Sequence, residues 1–179
     1  MTVDCMEYTE AELAAVDTYI ASSGWWATQK VDGRRLAITM DAGGIRGMWC
    51  KGRPAAEDVR HHAIREDLQR LLPRFTGTTV LDGELMNDRT WLLFDIIMLN
   101  GEPCTSLTYA ERAPLLEAVG RIARKAGCER VRVLPIAREA EEKRALWDWV
   151  CSQNGEGIVF KPLERWESEL NQRLIAGTR

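Results

Sequence analysis

The alternation of apolar and polar residues is clearest just after Lys30. Over 36–40, every second side chain is apolar, which is the period of a strand that buries one face. The turn residues at 41–44 and the return through 45–51 predict a β-hairpin. The chain therefore folds back on itself directly after a lysine.

Apolar residues recur at helical spacing in several other segments. We predict helices from a capping box at Thr9–Glu12 to about Ser22, over 55–72, from a capping box of Thr108 and Glu111 to about Gly127, and over 138–152. Pro73 is a natural stop for the second helix, whereas Pro114 is expected to strain or delay the third.

Short apolar runs between the helices predict further strands. These runs lie at 79–86, 90–98, 131–134 and 157–161. Hairpins and adjacent strands outnumber β-α-β units along the chain. The pattern therefore predicts an α+β fold of mainly antiparallel sheets flanked by helices.

Length and composition are typical of one folded domain. The chain has 179 residues, of which 45% are hydrophobic, and no apolar window approaches the roughly 18 residues of a membrane span. The acidic start lacks the basic segment of a signal peptide, so we expect a cytoplasmic protein without membrane contact. The five cysteines contain no C-x-x-C pair, which favours reduced thiols.

The charge balance limits how the chain can bind nucleic acid. Lys and Arg number 24 against 27 for Asp and Glu, which gives a formal charge of −3. The chain therefore lacks the net basic field of a stand-alone nucleic-acid binder. If nucleic acid is the substrate, either charge is segregated within the fold or another module supplies most of the backbone contacts.

The segment Lys-Val-Asp-Gly-Arg-Arg at 30–35 places several chemically useful groups close together. A lysine such as Lys30 acts as a nucleophile only when its amine is deprotonated. Arg35 can hold phosphate or ribose oxygens through its fork of donors. An exposed charged turn is the alternative interpretation of so short a pattern.

Two later segments carry carboxylates on or beside apolar strands. Glu84 lies in Leu-Asp-Gly-Glu-Leu, where it can pair with Arg112 or another arginine, or hold a ribose hydroxyl or a metal ion. Phe94 is either a core residue or a plate that stacks on a purine. Glu156 and Lys161 flank a last apolar run, which an ordinary buried strand with charged ends would also explain.

Taken together, four segments resemble the successive nucleotidyltransferase motifs of ATP-dependent DNA ligases. They are KVDGRR, LDGEL, LFDIIMLNGEP and EGIVFK, and they follow the family's order between about Trp25 and Lys161. The resemblance implies an ATP-grasp-like nucleotidyltransferase domain that uses ATP and Mg²⁺. It also implies nicked duplex DNA as the partner, in DNA repair or replication.

The resemblance gives a role to each matching residue of the first motif. Lys30 matches the nucleophile that attacks the α-phosphate of ATP and forms a lysyl-AMP phosphoramidate. Asp32 and Arg35 match residues on the ribose and phosphate side of the nucleotide. Thr28 stands where the family contacts the adenine edge, a position at which many members have glutamate.

The later motifs imply the rest of the nucleotide site. Glu84 matches the carboxylate that binds the ribose or a metal, and Phe94 matches the ring that stacks on adenine. Glu156 matches the second acidic residue near the metal, and Lys161 ends the fourth motif as a nucleotide-binding residue. Mg²⁺ is implied because the departure of pyrophosphate concentrates negative charge.

The sequence departs from the family at two places. Where the family carries an arginine after the hairpin, this chain has Cys50, so we assign that contact to Lys51, and the alternatives are Arg53 or loss of the contact. The strand with two lysines after the fourth motif, and the following OB-fold, are not visible. Without those lysines, adenylation should be weaker by about a hundred- to a thousand-fold. We expect 1–179 to form a single adenylation domain, to which a separate chain or domain can supply an OB-fold.

Two other functions remain open on the sequence. An RNA ligase or a messenger-RNA capping enzyme shares the first lysine motif, and covalent labelling by GTP instead of ATP would indicate capping. A truncated module that binds nucleotide without catalysis is the second alternative. Reversible ATP binding without a covalent adduct would support that alternative.

Overall fold

The computed structural model of this chain describes residues 8–10, 15–50, 53–54, 59–164 and 173–177. We number its strands in chain order: β1 (Tyr8–Glu10), β2 (Trp25–Lys30), β3 (Arg34–Asp41), β4 (Gly44–Cys50), β5 (Arg53–Pro54), β6 (Thr79–Leu85), β7 (Trp91–Leu99), β8 (Glu102–Pro103), β9 (Val131–Val133), β10 (Gly157–Pro162) and β11 (Arg173–Gly177). The helices are α1 (Val16–Ala21), α2 (Val59–Leu71), α3 (Tyr109–Lys125) and α4 (Ala140–Ser152), and a 3-10 helix over Leu72–Arg74 follows α2.

The described residues divide into two compact units. The large unit comprises residues 33–133 and contains β3 to β9 with α2 and α3. The small unit comprises residues 8–32 and 134–177 and contains the remaining strands with α1 and α4. Each unit has its own sheet.

The sheet of the large unit has the strand order β5-β4-β3-β6-β7-β8, and β9 pairs with the start of β7. The β7–β9 pair is parallel, and the other pairs of this sheet are antiparallel. β3 and β4 form the hairpin predicted after Lys30. The expectation of an α+β fold with mainly antiparallel sheets is confirmed.

Alternation along the strands gives the large unit's sheet two chemically different faces. Leu36, Ile38 and Met40 of β3 lie in the core, together with apolar residues of α2 and α3. Arg35 is one residue out of phase with them and lies on the opposite face. On β6, Glu84 is the register partner of Arg35 and shares that face.

The sheet of the small unit has the strand order β1-β11-β10-β2, in which β1 and β11 are the parallel pair. Apolar residues of β2 and β10 pack with α1 and α4 in a core that includes Ile20, Ala27, Val150 and Phe160. This packing covers one face of β2 and β10, so Thr28, Lys30 and Lys161, which are out of phase with Ala27 and Phe160, lie on the other face.

Lys143 of α4 is buried in the small unit and contacts three backbone carbonyls. Its Nζ donates to the carbonyl oxygens of Tyr19 (3.4 Å), Ser22 (2.5 Å) and Trp25 (3.0 Å). These bonds join the end of α1 and the start of β2 to α4. Burial lowers the pKa of Lys143, while the charge of Glu139 acts in the opposite direction.

The start of α3 follows the sequence pattern. The N–H of Glu111 donates to Thr108 Oγ1 over 3.3 Å, and the N–H of Thr108 donates to Glu111 Oε2 over 2.7 Å, so the predicted capping box is confirmed. Pro114 lies inside α3, which continues past it to Lys125. The predicted stop near Pro73 is also confirmed, because α2 ends at Leu71.

The predicted capping box at Thr9–Glu12 is wrong. Thr9 lies in β1, where it pairs with Leu174 of β11, and α1 begins only at Val16. Pairing with a strand that is distant in sequence therefore overrides the local capping pattern.

The composition predicts no membrane span and reduced cysteines. In the described part of the chain, none of the helices has the length and apolar character that a membrane span requires. Its cysteines, Cys50, Cys104, Cys128 and Cys151, are free thiols. Burial raises the pKa of Cys104 and of Cys128, which keeps both protonated.

Candidate functional site

Lys30 and Glu156 lie next to each other in the small unit, where β2 ends and the neighbouring strand β10 begins. Lys30 is the last residue of β2 and the register partner of Gly157, the first residue of β10. Glu156 directly precedes Gly157, and its Oε2 forms an ion pair with Lys30 Nζ. The two side chains are 33% and 40% exposed, so a ligand can reach them. Asp32 is exposed in the segment that follows β2.

The strand face that carries Lys30 also carries Thr28 and Lys161. Ala27 and Phe160 are register partners in the core, so the residue after each of them lies on the opposite face. Thr28 is 1% exposed and Lys161 is 2% exposed. The small unit thus places two predicted nucleotide-binding side chains on the face of the proposed nucleophile.

Arg35, Asp82 and Glu84 form a charged group on one face of the large unit's sheet. Arg35 and Glu84 are register partners, and Asp82 lies two residues before Glu84 on the same strand face. Arg35 Nε donates to Asp82 Oδ1 over 3.2 Å, and Nη2 donates to Oδ2 over 2.6 Å. This bidentate contact fixes the plane of the guanidinium.

Phe94 joins the charged group through a β-bulge in β7. Residues 82 and 83 pair with Asp95 and Leu93, which leaves Phe94 as the extra residue between them. The Arg35 guanidinium lies over the Phe94 ring, 5.7 Å from its centroid. The ring therefore contacts the charged group, while Phe94 as a whole is 7% exposed.

Arg112 has a different partner from the one considered on the sequence. Its Nε donates to Asp95 Oδ1 over 2.9 Å, and its Nη1 donates to the Leu107 carbonyl over 2.6 Å. The bulge that presents Phe94 to Arg35 thus turns Asp95 towards α3. The carboxylate at the centre of β6 that holds an arginine is Asp82.

Asp82 is a site residue that the sequence analysis missed. It is 1% exposed and holds Arg35 from the same strand that carries Glu84. The sequence spacing of Asp82 and Glu84 already indicated this position, because residues two apart on a strand share a face. A carboxylate at alternate spacing from Glu84 therefore predicts a second acidic group beside it.

Gly33 of the first motif packs directly against Glu84. A Cβ at Gly33 would lie 2.8 Å from Glu84 Cγ and 2.8 Å from the Leu85 carbonyl oxygen. Both distances are too short for any side chain. The glycine is therefore needed for the close approach of the backbone to Glu84, within the protein itself.

Lys51 lies outside the described residues, so its predicted contact is untested. Cys50, which stands at the family's arginine position, is half-buried at the end of β4. Arg34 Nε donates to Cys50 Sγ over 3.3 Å.

Glu84 and Glu156 are the predicted metal-binding carboxylates, one in each unit. Within the described part of the chain, no group of three or more His, Cys, Asp or Glu side chains is arranged to hold a metal ion. Mg²⁺ is commonly bound by one or two carboxylates together with substrate phosphates and water. Each of these carboxylates, taken by itself within its own unit, has the chemistry for that kind of binding.

The fold matches solved structures of DNA ligases. A mycobacterial DNA ligase D, in complex with ATP and MES, is 20% identical, and the match covers 95% of this chain and 58% of that chain with a TM-score of 0.66. The ATP-dependent DNA ligase of bacteriophage T7, in complex with ATP, is 13% identical over 96% of this chain and 67% of that chain, with a TM-score of 0.63. A Lig E DNA ligase is 13% identical over 98% of this chain and 69% of that chain, with a TM-score of 0.60.

These matches confirm the predicted fold, that of ligase nucleotidyltransferase domains. The chain spans 58% of the length of the mycobacterial ligase D chain. Among curated protein sequences, none matches the chain. The family model for RNA ligase matches residues 23–175 and so includes every site residue considered above. The chain therefore belongs to the RNA ligase family.

Proposed function

We propose that this chain is the adenylation domain of an ATP-dependent polynucleotide ligase that seals nicks in duplex DNA. The observation that carries the proposal is the ion pair of Lys30 and Glu156 at the open end of β2 and β10. A half-buried lysine, with a side chain 33% exposed and held by a carboxylate at a strand end, is accessible to an incoming nucleotide. Its strand neighbours fix its position without burying it.

In the proposed first step, Lys30 Nζ attacks the α-phosphorus of ATP. Nζ first gives up its ammonium proton, because only the neutral amine has a free electron pair. A P–N bond then forms, the P–O bond to pyrophosphate breaks, and Nζ loses a second proton. The hydrogen bond from Nζ to Glu156 Oε2 supports a role for that carboxylate in accepting the first proton. In the second step, a 5′-phosphate oxygen attacks the same phosphorus, the P–N bond breaks, and Lys30 regains both protons.

The remaining predicted residues bind and orient the nucleotide in this proposal. Phe94 stacks on adenine, Thr28 contacts the adenine edge, and Lys161 binds the phosphates. Arg35 and Glu84 hold the ribose or phosphate side, with Arg35 kept in place by the buried Asp82. Mg²⁺ held by Glu84 or Glu156 would neutralise charge on the departing pyrophosphate.

DNA as the substrate is supported by the solved relatives, which are described as DNA ligases. The family name favours RNA as the second candidate. In both cases the 3′-hydroxyl of the nick displaces AMP from the activated 5′-phosphate and closes the strand. The two candidates therefore differ in the strand they accept and share the chemistry of Lys30.

Covalent labelling tests the first step. The purified chain is incubated with Mg²⁺ and either α-labelled ATP or α-labelled GTP, and then separated on a denaturing gel. We expect a labelled band with ATP that is absent from Lys30→Ala and from Lys30→Arg. The arginine variant is the matched control, because it keeps the charge opposite Glu156 and removes the nucleophile.

Each other outcome has a definite meaning. Labelling by GTP in place of ATP would identify a capping-type enzyme, and a folded protein without any label would contradict the proposal. Nicked duplexes that carry the nick in a DNA strand or in an RNA strand then separate the two substrates. Faster AMP transfer to the RNA nick would overturn the choice of DNA.

A further inference from the structure

Basic residues are concentrated in two segments of the large unit, the turn at 87–90 and the stretch 121–132. Together they hold six basic residues and two acidic residues, although the whole chain has a formal charge of −3. The basic residues beside the turn and β9, which we call the arginine surface, are Arg89, Arg130 and Arg132, whereas Arg121, Arg124 and Lys125 belong to α3, which packs on the core face of the sheet. All are exposed except Arg130, which is half-buried.

Hydrogen bonds bring the two segments together. Arg130 Nη1 donates to the Asp88 carbonyl oxygen over 3.0 Å. The N–H of Trp91, just after the turn, donates to the Arg130 carbonyl oxygen over 2.7 Å. The turn and the lead-in to β9 are therefore neighbours, and their charges act on the same region of space.

Backbone carbonyls orient two of the guanidinium groups. Arg132 Nε donates to the Glu129 carbonyl oxygen over 3.0 Å, and Arg130 donates to the Asp88 carbonyl as described. A carbonyl orients a guanidinium without neutralising its positive charge. The Asp88 carboxylate faces both arginines, and its Oδ1 accepts from the Thr90 N–H over 2.9 Å. The Asp67 carboxylate also lies beside Arg130, because its Oδ2 accepts from the Arg130 N–H over 2.6 Å.

The arginine surface adjoins the strand face that carries the site residues of the large unit. Glu84 of β6 pairs with Leu92 of β7, and Leu92 pairs with Arg132 of β9. Residues paired in this way share a face, so Arg132 lies on the same face as Glu84 and Arg35. Two strand spacings separate Arg132 from Glu84, which corresponds to about 10 Å.

We propose that the arginine surface, centred on Arg132, binds backbone phosphates of the polynucleotide substrate beside the nick. This inference rests on the proposed function, which it extends by naming the surface that holds the nucleic acid. Guanidinium groups match phosphate oxygens through paired N–H donors. Successive phosphates of one strand are about 3.4 Å apart along the duplex axis, so Arg132 would contact the backbone about three nucleotides from the group bound at Glu84.

Charge reversal at one exposed arginine tests this inference. Arg132→Glu is compared with Arg74→Glu as a matched control, because both arginines are exposed. Arg74 precedes the start of β6, whereas Arg132 lies beside the end of β6. Binding of a labelled nicked duplex to the full chain is measured by fluorescence anisotropy at several salt concentrations. Lysine adenylation without nucleic acid is measured on the same samples.

We expect Arg132→Glu to bind the nicked duplex about tenfold more weakly, with a salt dependence smaller by about one phosphate contact. The loss should be equal for different nick sequences, and Arg132→Lys should retain most of the binding. Arg74→Glu should stay within about twofold of the wild type, and lysine adenylation should be unchanged in all variants.

Two results would overturn the inference: equal binding by Arg132→Glu and Arg74→Glu, or no salt-dependent binding by the wild-type chain. Failure of the proposed function is separate, because it appears as missing adenylation before any nucleic acid is added.

Discussion

The ion pairs Lys30–Glu156 and Arg112–Asp95 use the same kind of chemistry in opposite surroundings. The side chains of Lys30 and Glu156 are 33% and 40% exposed, whereas those of Arg112 and Asp95 are 2% and 0% exposed. Water can replace the partners of the first pair at little cost, but not those of the second. The first pair is therefore open to solvent, and the second holds the structure.

The buried pair, Arg112–Asp95, also has further hydrogen-bond partners. Asp95 accepts from two nitrogens of Arg112 and from the N–H of Ile96, and Arg112 also donates to Leu107. The buried pair is thus part of a network between β7 and α3. Exposure and the number of partners together separate an accessible pair from a structural one.

The largest expected effect is on catalysis, at the exposed pair. Glu156→Gln keeps the shape of the side chain but removes its capacity to take a proton, so we expect lysine adenylation to slow about a hundredfold. The free energy of unfolding should change by less than about 1 kcal/mol, because the pair is exposed. Glu141→Gln, at an exposed residue of α4, is the control that should leave both quantities unchanged.

The largest effect on stability is expected at the buried pair. Arg112→Ala leaves Asp95 charged and buried, so it should lower the free energy of unfolding by about 3–5 kcal/mol in denaturant titrations. Arg144→Ala breaks the exposed pair with Asp17 and should cost less than about 1 kcal/mol. Equal losses for the two variants would remove the distinction between the pairs.

A smaller loss is expected where backbone packing supports the charged face. A Cβ at Gly83 would lie 2.6 Å from the Leu92 carbonyl oxygen and 2.7 Å from Trp91 Nε1, which donates to the Leu36 carbonyl. Gly83→Ala should therefore lower the melting temperature and reduce the free energy of unfolding by about 1–3 kcal/mol. Gly24→Ala, whose added Cβ meets its nearest atom at 3.5 Å, should show no comparable loss.

The smallest effect concerns pH at an exposed carboxylate. The Thr90 N–H bonded to Asp88 lowers the pKa of that carboxyl below its ordinary value, and Arg132 and Arg130 act in the same direction. Asp88 therefore adds stability at pH values above the ordinary pKa of an aspartate, and that stability is lost as the pH falls through the lower pKa of the folded state. The difference in the free energy of unfolding between the wild type and Asp88→Asn should shrink as the pH is lowered over that range. A difference that grows as the pH is lowered would contradict the lowered pKa of Asp88.

Local patterns in the sequence predict much of this fold and part of the site. Alternation after Lys30 predicts the hairpin, and the Thr108 capping box predicts the start of α3. The pairing of Arg35 with Asp82 could not be predicted in this way, because it depends on the register of β3 against β6. Strand register is set by tertiary packing.

The bulge at Phe94 and the strand at Thr9 teach the same lesson. A bulge inserts one residue into a strand, so the rule that every second residue lies on the same face does not hold across Phe94. Thr9 matches a helix cap locally but pairs with β11, more than 150 positions along the chain. Contacts between distant segments decide both cases, and the local pattern does not contain them.

The most direct test of the central claim is to locate the adenylate within the chain. The protein is incubated with ATP and Mg²⁺, digested, and analysed by mass spectrometry of its peptides. The proposed function predicts AMP on Lys30, and no adenylated peptide from Lys30→Arg treated in the same way. An adenylate on a different residue, or none on a folded protein that binds ATP, would contradict the claim that Lys30 is the nucleophile.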